Sequence, residues 1–201
     1  MSKYINKPIV GRTGYTNECW LAASGSFDVK NNTANLNFWG WMDLYAQQSK
    51  LAIADTTQTT IRLDQLTTFL SLLQELLGAI VGEGGCLAGG IMDAEGSITC
   101  DKTSPTGHTV TYWREATGKF SLMNGPMIEA NSGFITLRGW KDKATYEAKG
   151  TSEMTVEQMV SSIVSLASFE AAWAEIAELL ISQAGGFIFQ DGTIEDLLPA
   201  E

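Results

Sequence analysis

The chain has 201 residues, with 13 Lys and Arg against 23 Asp and Glu and a formal net charge of −10 at pH 7. That balance argues against a protein that wraps nucleic-acid phosphates, because such binding uses Lys and Arg to displace counterions. The 44% hydrophobic content excludes a disordered chain. Charged residues make up only 18%, against about 25% in typical soluble domains, and the polar remainder is rich in Thr, Ser, Asn, Gln and Gly. Such a surface suits permanent contacts. Met1 to Asn6 holds no apolar run of the signal-peptide kind. No apolar stretch reaches the roughly 18 residues of a membrane helix.

Residues 1–11 read as an N-terminal arm carrying Pro8 and two Lys. Thr16 to Ala22 and Ser26 to Val29 read as strands separated by Ser24-Gly25, with a turn at Lys30-Asn31-Asn32. Asn35 to Tyr45 alternates, with Leu36, Phe38, Gly40, Met42 and Leu44 on one side and Asn37, Trp39, Trp41, Asp43 and Tyr45 on the other, which predicts one long strand. Gln47 to Thr60 carries no clear period. Leu63, Leu66, Leu70, Leu73, Leu77 and Ile80 form one stripe and predict a helix over Ile61 to Val81, stopped by Gly82-Glu83-Gly84-Gly85. Cys86 to Met92 and Ser97 to Cys100 read as a closing hairpin around Asp93 to Gly96.

The second half follows the same plan. Thr109 to Glu115, Lys119 to Met123 and Phe134 to Trp140 read as strands, with Asn124-Gly125-Pro126 as a turn. Thr155 with Gln158 is a capping box opening a helix whose apolar positions are Met159, Ile163, Leu166, Trp173, Ile176 and Leu180. Ala184-Gly185-Gly186 ends it, and Phe187 to Ile194 forms a second closing hairpin before an acidic tail.

The likeness extends to residues. Thr13 to Val29 returns at Thr106 to Leu122, an offset of 93, with seven of 17 positions identical, Trp20/Trp113 and Phe27/Phe120 among them. Gly40-Trp41-Met42-Asp43 answers Gly139-Trp140-Lys141-Asp142 at 99. Leu63-Asp64-Gln65-Leu66 answers Val156-Glu157-Gln158-Met159 at 93, and Ala88 to Ile91 answers Ala184 to Phe187 at 96, as Gly96 to Ile98 answers Gly192 to Ile194. The period exceeds the roughly 20–50 residues of solenoid repeats. We therefore expect an α+β chain of two tandem copies, 12–104 and 105–201. Each is an antiparallel-sheet unit with one packed helix and a closing hairpin.

Candidate chemistry is sparse. His108 is the one histidine, and its counterpart is Tyr15. Asp93, Glu95 and Asp191 sit at hairpin turns and Asp43 and Asp142 follow the paired tryptophans, positions where acids serve the turn itself. Gly82 to Gly90 follows a helix and precedes a strand, the wrong order for a phosphate loop. Cys19, Cys86 and Cys100 have no counterparts, which predicts free thiols rather than a framework disulfide. No enzyme, cofactor or metal site is expected.

What remains is an aromatic load. Trp39, Trp41 and Tyr45 on one strand face, with Arg138 and Trp140 in the second copy, are the expected interface, since aromatics are enriched at interface centres. The expectation is a structural assembly protein, a virion subunit assembled in the host cytoplasm. Its partners are copies of itself and other virion proteins, and DNA passes an acidic lumen without being bound. The outline is similar to that of phage tail-tube proteins, and a tail-tube or head–tail ring subunit is the sharpest form of the expectation. Three fused chains would supply six equivalent ring positions. The alternative is a small-molecule or carbohydrate binding module with a cleft between the copies, lined by Trp41, Trp140 and the paired acids.

Overall fold

Alternation and β-branched content make this a strand-rich chain, and in a computed structural model of it ten strands form one antiparallel sheet assembly covered by helices. The structure describes residues 3–122, 132–161, 167–182 and 187–197. In order, the elements are β1 (Lys3–Val10), β2 (Thr16–Asp28), β3 (Thr33–Trp41), α1 (Leu44–Gln48), β4 (Asp55–Arg62), α2 (Phe69–Val81) and β5 (Ile91–Met92). Then come β6 (Ile98–Thr103), β7 (Thr109–Ser121), β8 (Ser132–Trp140), α3 (Lys143–Glu147), β9 (Met154–Ser161), α4 (Ala167–Ser182) and β10 (Thr193–Asp196). The α+β class holds, and the order β-β-β-α-β-α-β occurs twice.

The two halves meet at a seam between β2 and β7. Both are 13 residues long. The first part of β2 pairs with β1 and its last part with β7, while β3 lies along its other side; β7 does the same with β6, β2 and β8. In the antiparallel seam Ser24 faces Ser121, Ser26 faces Lys119 and Asp28 faces Thr117. Ser26 and Lys119 are counterparts at an offset of 93, so the pairing is symmetric about them and defines a local two-fold axis. Val29 donates to the Ala116 carbonyl at 3.0 Å and Leu122 to the Ala23 carbonyl at 2.8 Å, the same bond repeated by that axis.

Glycines make the seam possible. A Cβ at Gly118 would enter the ring of Phe27, and one at Gly25 would enter the ring of Phe120. Farther out, Gly40 lies under Trp20 and Gly139 under Trp113, where a Cβ would stand 2.5 Å and 2.6 Å from ring carbons. Both tryptophans are fully buried. Trp20 donates its indole N–H to the Lys7 carbonyl at 3.0 Å, and Trp113 donates to the Cys100 carbonyl at 2.8 Å.

Helices α2 and α4 cover one face. Leu73, Leu76, Leu77 and Ile80 of α2 and Ala172, Ala177 and Leu180 of α4 are buried against it. Phe69 packs edge-on against Phe27 at 5.5 Å, and Phe169 edge-on against Phe120 at 6.4 Å. The axis therefore runs along the sheet normal, with one helix on each side of it.

The units differ from the sequence expectation in several places. Of the segment read as an N-terminal arm, Lys3–Val10 is a strand, β1. Its counterpart is β6, with Ile5 opposite Trp20 as Ile98 is opposite Trp113. The recurrence thus begins inside the segment set aside as an arm, not at residue 12. Each unit holds two helices rather than one. The expected helix over Ile61 to Val81 begins only at Phe69, because Asp55–Arg62 continues the sheet beside β3 and a 3-10 turn, Leu63–Gln65, intervenes. The Thr155 capping box opens no helix, since Met154–Ser161 pairs with β8. Leu63 to Leu66 and Val156 to Met159 consequently occupy unlike places.

The hairpin expected at Phe187 to Ile194 is absent. Residues 187–192 turn and β10 pairs with β1, while β5 pairs with β6. The last strand of each unit completes the sheet of the other. Gly90 and Gly192 hold matching turns, donating to the carbonyls of Leu87 and Phe189 at 3.0 Å each, so Gly90 corresponds to Gly192. Its expected mate Gly186, the turn at Asn124 to Pro126 and the stripe positions Ile163 and Leu166 lie outside the described residues.

Trp20→Ala and Trp113→Ala are each expected to cost about 3–5 kcal/mol in chemical denaturation, as truncations of fully enclosed aromatic side chains. Gly118→Ala should cost about 1–3 kcal/mol through overpacking against Phe27, and Phe27→Leu in the same chain should recover part of that loss.

Candidate interface and the cleft between the units

The aromatic strip folds differently from a simple wet strand face. β3 ends at Trp41 because Asp43 caps α1, its carboxylate accepting from the Ala46 N–H at 2.7 Å; Asp142 caps α3 in the same way through Thr145 at 2.7 Å. Bonds from the Thr145 hydroxyl and then its N–H hold the Asp142 carboxyl below its ordinary range. α1 folds back over the strand face turned away from α2 and α4. Trp41 is buried there with Tyr4, Cys19, Leu21 and Ala46, and Trp39 and Leu197 pack on this small second core. The Trp39 and Trp41 rings stand 6.5 Å apart at 65°. Trp41 donates to the Leu51 carbonyl at 3.1 Å and Trp140 to the Gly150 carbonyl at 2.9 Å.

The expected interface is therefore divided by the structure. Trp41 and Trp140 are only 5% and 4% exposed and serve the chain's own core. Trp140 packs edge-on against Tyr146 at 4.9 Å. Tyr45 is not on the strand; it projects from α1 and is 74% exposed. With Met42, Leu51 and Ile53 it leaves an apolar patch along the connection from β3 to β4. Arg138 lies 3.7 Å from Glu115, which also pairs with Lys30 at 2.9 Å across the seam. Glu115 is buried at a bulge of β7, with a backbone φ of 56°.

Sequence reading missed the two sheet edges. Among the described residues β4 pairs only with β3 and β9 only with β8, so each leaves a side eight residues long without a strand partner. Both are counterparts at an offset of 99, since Ala54 donates to Gly40 at 2.9 Å as Glu153 donates to Gly139 at 2.8 Å. Extending the 99-residue match from the Gly-Trp pairs through Asp55–Arg62 and Met154–Ser161 would have exposed them.

A cleft does lie between the units, but Trp41 and Trp140 do not line it. It sits on the two-fold axis between the sheet and the α2–α4 pair, enclosed by Phe27, Phe69, Leu72, Phe120, Phe169 and Trp173 with other apolar side chains. The helix pair above it is tied by carboxylates. Glu175 of α4 accepts from the Thr67 N–H at 2.7 Å and the Thr68 N–H at 3.0 Å, and from both hydroxyls at 2.6 Å. It thus satisfies the start of α2, which no residue of its own caps. Reciprocally, the Ser168 hydroxyl donates to Glu75. Burial pushes the Glu175 carboxyl up, but the Thr67 and Thr68 hydroxyls and N–H groups outweigh it and bring the pKa to about 2.

The remaining candidates serve structure. Asp93 accepts from Glu95 at 3.0 Å and Ser97 at 2.8 Å within its turn, and exposed His108 meets Glu153 at 3.1 Å. Burial first, then the charges of Asp43 and Glu195, raise the Cys19 thiol to about 12. Among the described residues no three His, Cys, Asp or Glu side chains converge as a metal site, and Cys19, Cys86 and Cys100 are free thiols. No family model, curated protein or solved structure matches the chain.

Trp41→Ala should lower stability by about 3–5 kcal/mol as a core truncation, whereas Tyr45→Ala should stay within about 0.5 kcal/mol; denaturant midpoints of the two variants check this division. Glu175 is an acid whose folded pKa lies below its ordinary value, so its contribution is full above about 4.5 and is lost as pH falls toward about 2. Denaturation midpoints of the parent chain and Glu175→Gln should differ at pH 6 and converge toward pH 2.

Proposed function

We propose that this chain is a structural subunit that assembles with copies of itself into a ring, as a component of a virion. The observation that carries the reading is the pair of open edges: one sheet path, β4-β3-β2-β7-β8-β9, ends on both sides in a strand of eight residues that, among the described residues, has no strand partner on its outer side. Monomeric proteins blunt such edges with Lys, Pro, bulges or a covering element. Here β4 reads Asp-Thr-Thr-Gln-Thr-Thr-Ile-Arg and β9 reads Met-Thr-Val-Glu-Gln-Met-Val-Ser, without Lys or Pro. The exposed Met42, Tyr45, Leu51 and Ile53 lie at the start of β4 and add apolar contact area beside one edge.

The local two-fold alters the ring that the sequence alone implied. Counterpart positions in one chain are related by an axis along the sheet normal, not by a rotation about a ring axis, so three chains do not supply six rotationally equivalent places. In a ring whose wall is this sheet, the normal is radial and both rims present similar surfaces. Head–tail rings and stacked tube rings of a phage are the settings that suit such a subunit. The net charge of −10 suits a lumen that passes DNA without holding it. Other virion proteins would meet its rims, and assembly would take place in the host cytoplasm.

A second reading rests on the apolar cleft at the two-fold axis, which suits a small apolar ligand rather than a carbohydrate because its wall is almost wholly hydrocarbon.

Size-exclusion chromatography with light scattering at about 1–50 μM should give a discrete multiple of 21.8 kDa, and negative-stain images should show closed rings. A strict monomer across that range, with an environment-sensitive apolar dye bound at one site per chain, would replace the assembly reading with the cleft.

A further inference from the structure

We propose that copies join head to tail through their sheet edges, β4 of one chain pairing antiparallel with β9 of the next. This rests on the assembly reading and names its interface.

The backbone geometry fixes which groups are offered. On β4 the Thr56 N–H turns to the Asp55 carboxylate at 2.8 Å and the Arg62 N–H to the Gln65 side chain at 3.4 Å, rather than into the ladder with β3. Alternation then turns Gln58 and Thr60 outward as well. Their side chains, with those of Thr56 and Arg62, are exposed. The 99-residue correspondence places Thr155, Glu157, Met159 and Ser161 outward on β9. There Thr155 and Glu157 are exposed, and Met159 is 56% exposed. Its carbonyl accepts from Gln158 Nε2 at 3.3 Å, which occupies one of two lone pairs.

Charge selects a second copy and the pairing of unlike edges. β4 ends in Arg62, held by Asp64 through Nε at 3.1 Å and Nη2 at 2.6 Å; Nη1 takes no part in that pair. β9 carries Glu157, which accepts from the Thr136 hydroxyl at 3.3 Å. An antiparallel register centred on the counterparts Thr59 and Gln158, as the β2–β7 seam is centred on Ser26 and Lys119, sets Thr60 opposite Glu157 and Arg62 opposite Thr155, which brings Arg62 diagonal to Glu157. Opposite charges at that position attract across a sheet. Two β9 edges in the same arrangement bring two Glu157 carboxylates together, and two β4 edges leave both β9 edges open. Only β4 against β9 uses each edge once and continues from chain to chain, the condition for a closed ring.

Proline variants test this without touching the ladder inside the chain, because at Gln58 and Met159 only an outward N–H is lost. Gln58→Pro breaks β4 and Met159→Pro breaks β9. Each alone should run as a monomer by light scattering at a concentration where the parent chain assembles, with an unchanged thermal midpoint. Mixed one to one, they should form a dimer of twice the subunit mass and nothing larger, since one intact β4 and one intact β9 remain. Gln58→Lys and Met159→Lys give the same readout if a proline variant melts early. Assembly of either single variant at parental concentration, or a mixture that stays monomeric, overturns the edge pairing while leaving self-assembly standing. A parent chain that never assembles overturns both.

Discussion

The seam between β2 and β7 is the contact on which everything else depends. Five residue pairs join two halves that would otherwise each present a long, half-paired strand. What fixes the register is the exchange of rings for hydrogens: Phe27 occupies the space over Gly118 and Phe120 the space over Gly25. A slip of one residue would set Phe27 opposite Thr117 or Lys119 instead of Gly118 and turn one strand over relative to the other, carrying its ring away from the helix that packs on it. The seam thus sets the two-fold axis, and the axis places both long helices on one face.

Closure is then built from crossings between the halves. β5 belongs to the first unit and pairs with β6 of the second, while β10 returns to β1. Glu195 secures that return. Its carboxylate accepts from the Tyr4 hydroxyl and from Asn6 at 2.7 Å, and these bonds hold it below the ordinary range. Over the helices, Glu175 and Glu75 each reach the start of the opposite helix. Neither unit is complete alone, which makes independent folding of either half unfavourable and ties the stability of both to the seam. Two departures from symmetry stand out. Glu115 occupies the place of Ala22 and draws Lys30 and Arg138 to it, and Asn17 stands where the other unit has Val110. Asn17 is fully buried with both side-chain polar atoms unpaired among the described residues.

Much of this was legible in the sequence where identical side chains carry identical packing duties. Trp20 with Trp113, Phe27 with Phe120, the Gly-Trp pairs and the helix-capping Asp43 and Asp142 all recur because each needs one residue type. β1 and β6 share little beyond Ile5 and Ile98, so the arm concealed a strand. The helices correspond at neither offset read around them, 93 before and 96 after. An offset of 100 matches Phe69 with Phe169 and Glu75 with Glu175, the residues that pack and cap. β4 and β9 escaped because an edge strand is polar on its outer face and held inward partly by Thr57, Thr59 and Gln158. Hydrophobic periodicity has little to report there. The aromatic strip misled for a different reason: alternation gives the face on which Trp39 and Trp41 lie, but not that α1 would fold back over it.

The same symmetry constrains what the molecule can build. A contact made at β4 of a chain has its counterpart at β9, related by the local axis, so a surface that pairs with a neighbour on one side is already shaped to pair on the other. In the proposed assembly, two such local axes, one within each chain and one at each junction, would combine into a rotation from chain to chain. If the axes meet at a point, the step is a pure rotation, which closes when a whole number of steps completes a turn; if they miss, it advances along a helix. The angle between them is set by the twist accumulated across six strands, roughly 20–25° per strand pair. The size of the proposed assembly would thus be a property of the sheet and its bulges, such as those at Ala22–Ser24 and Arg114–Thr117, rather than of any single residue at the edge.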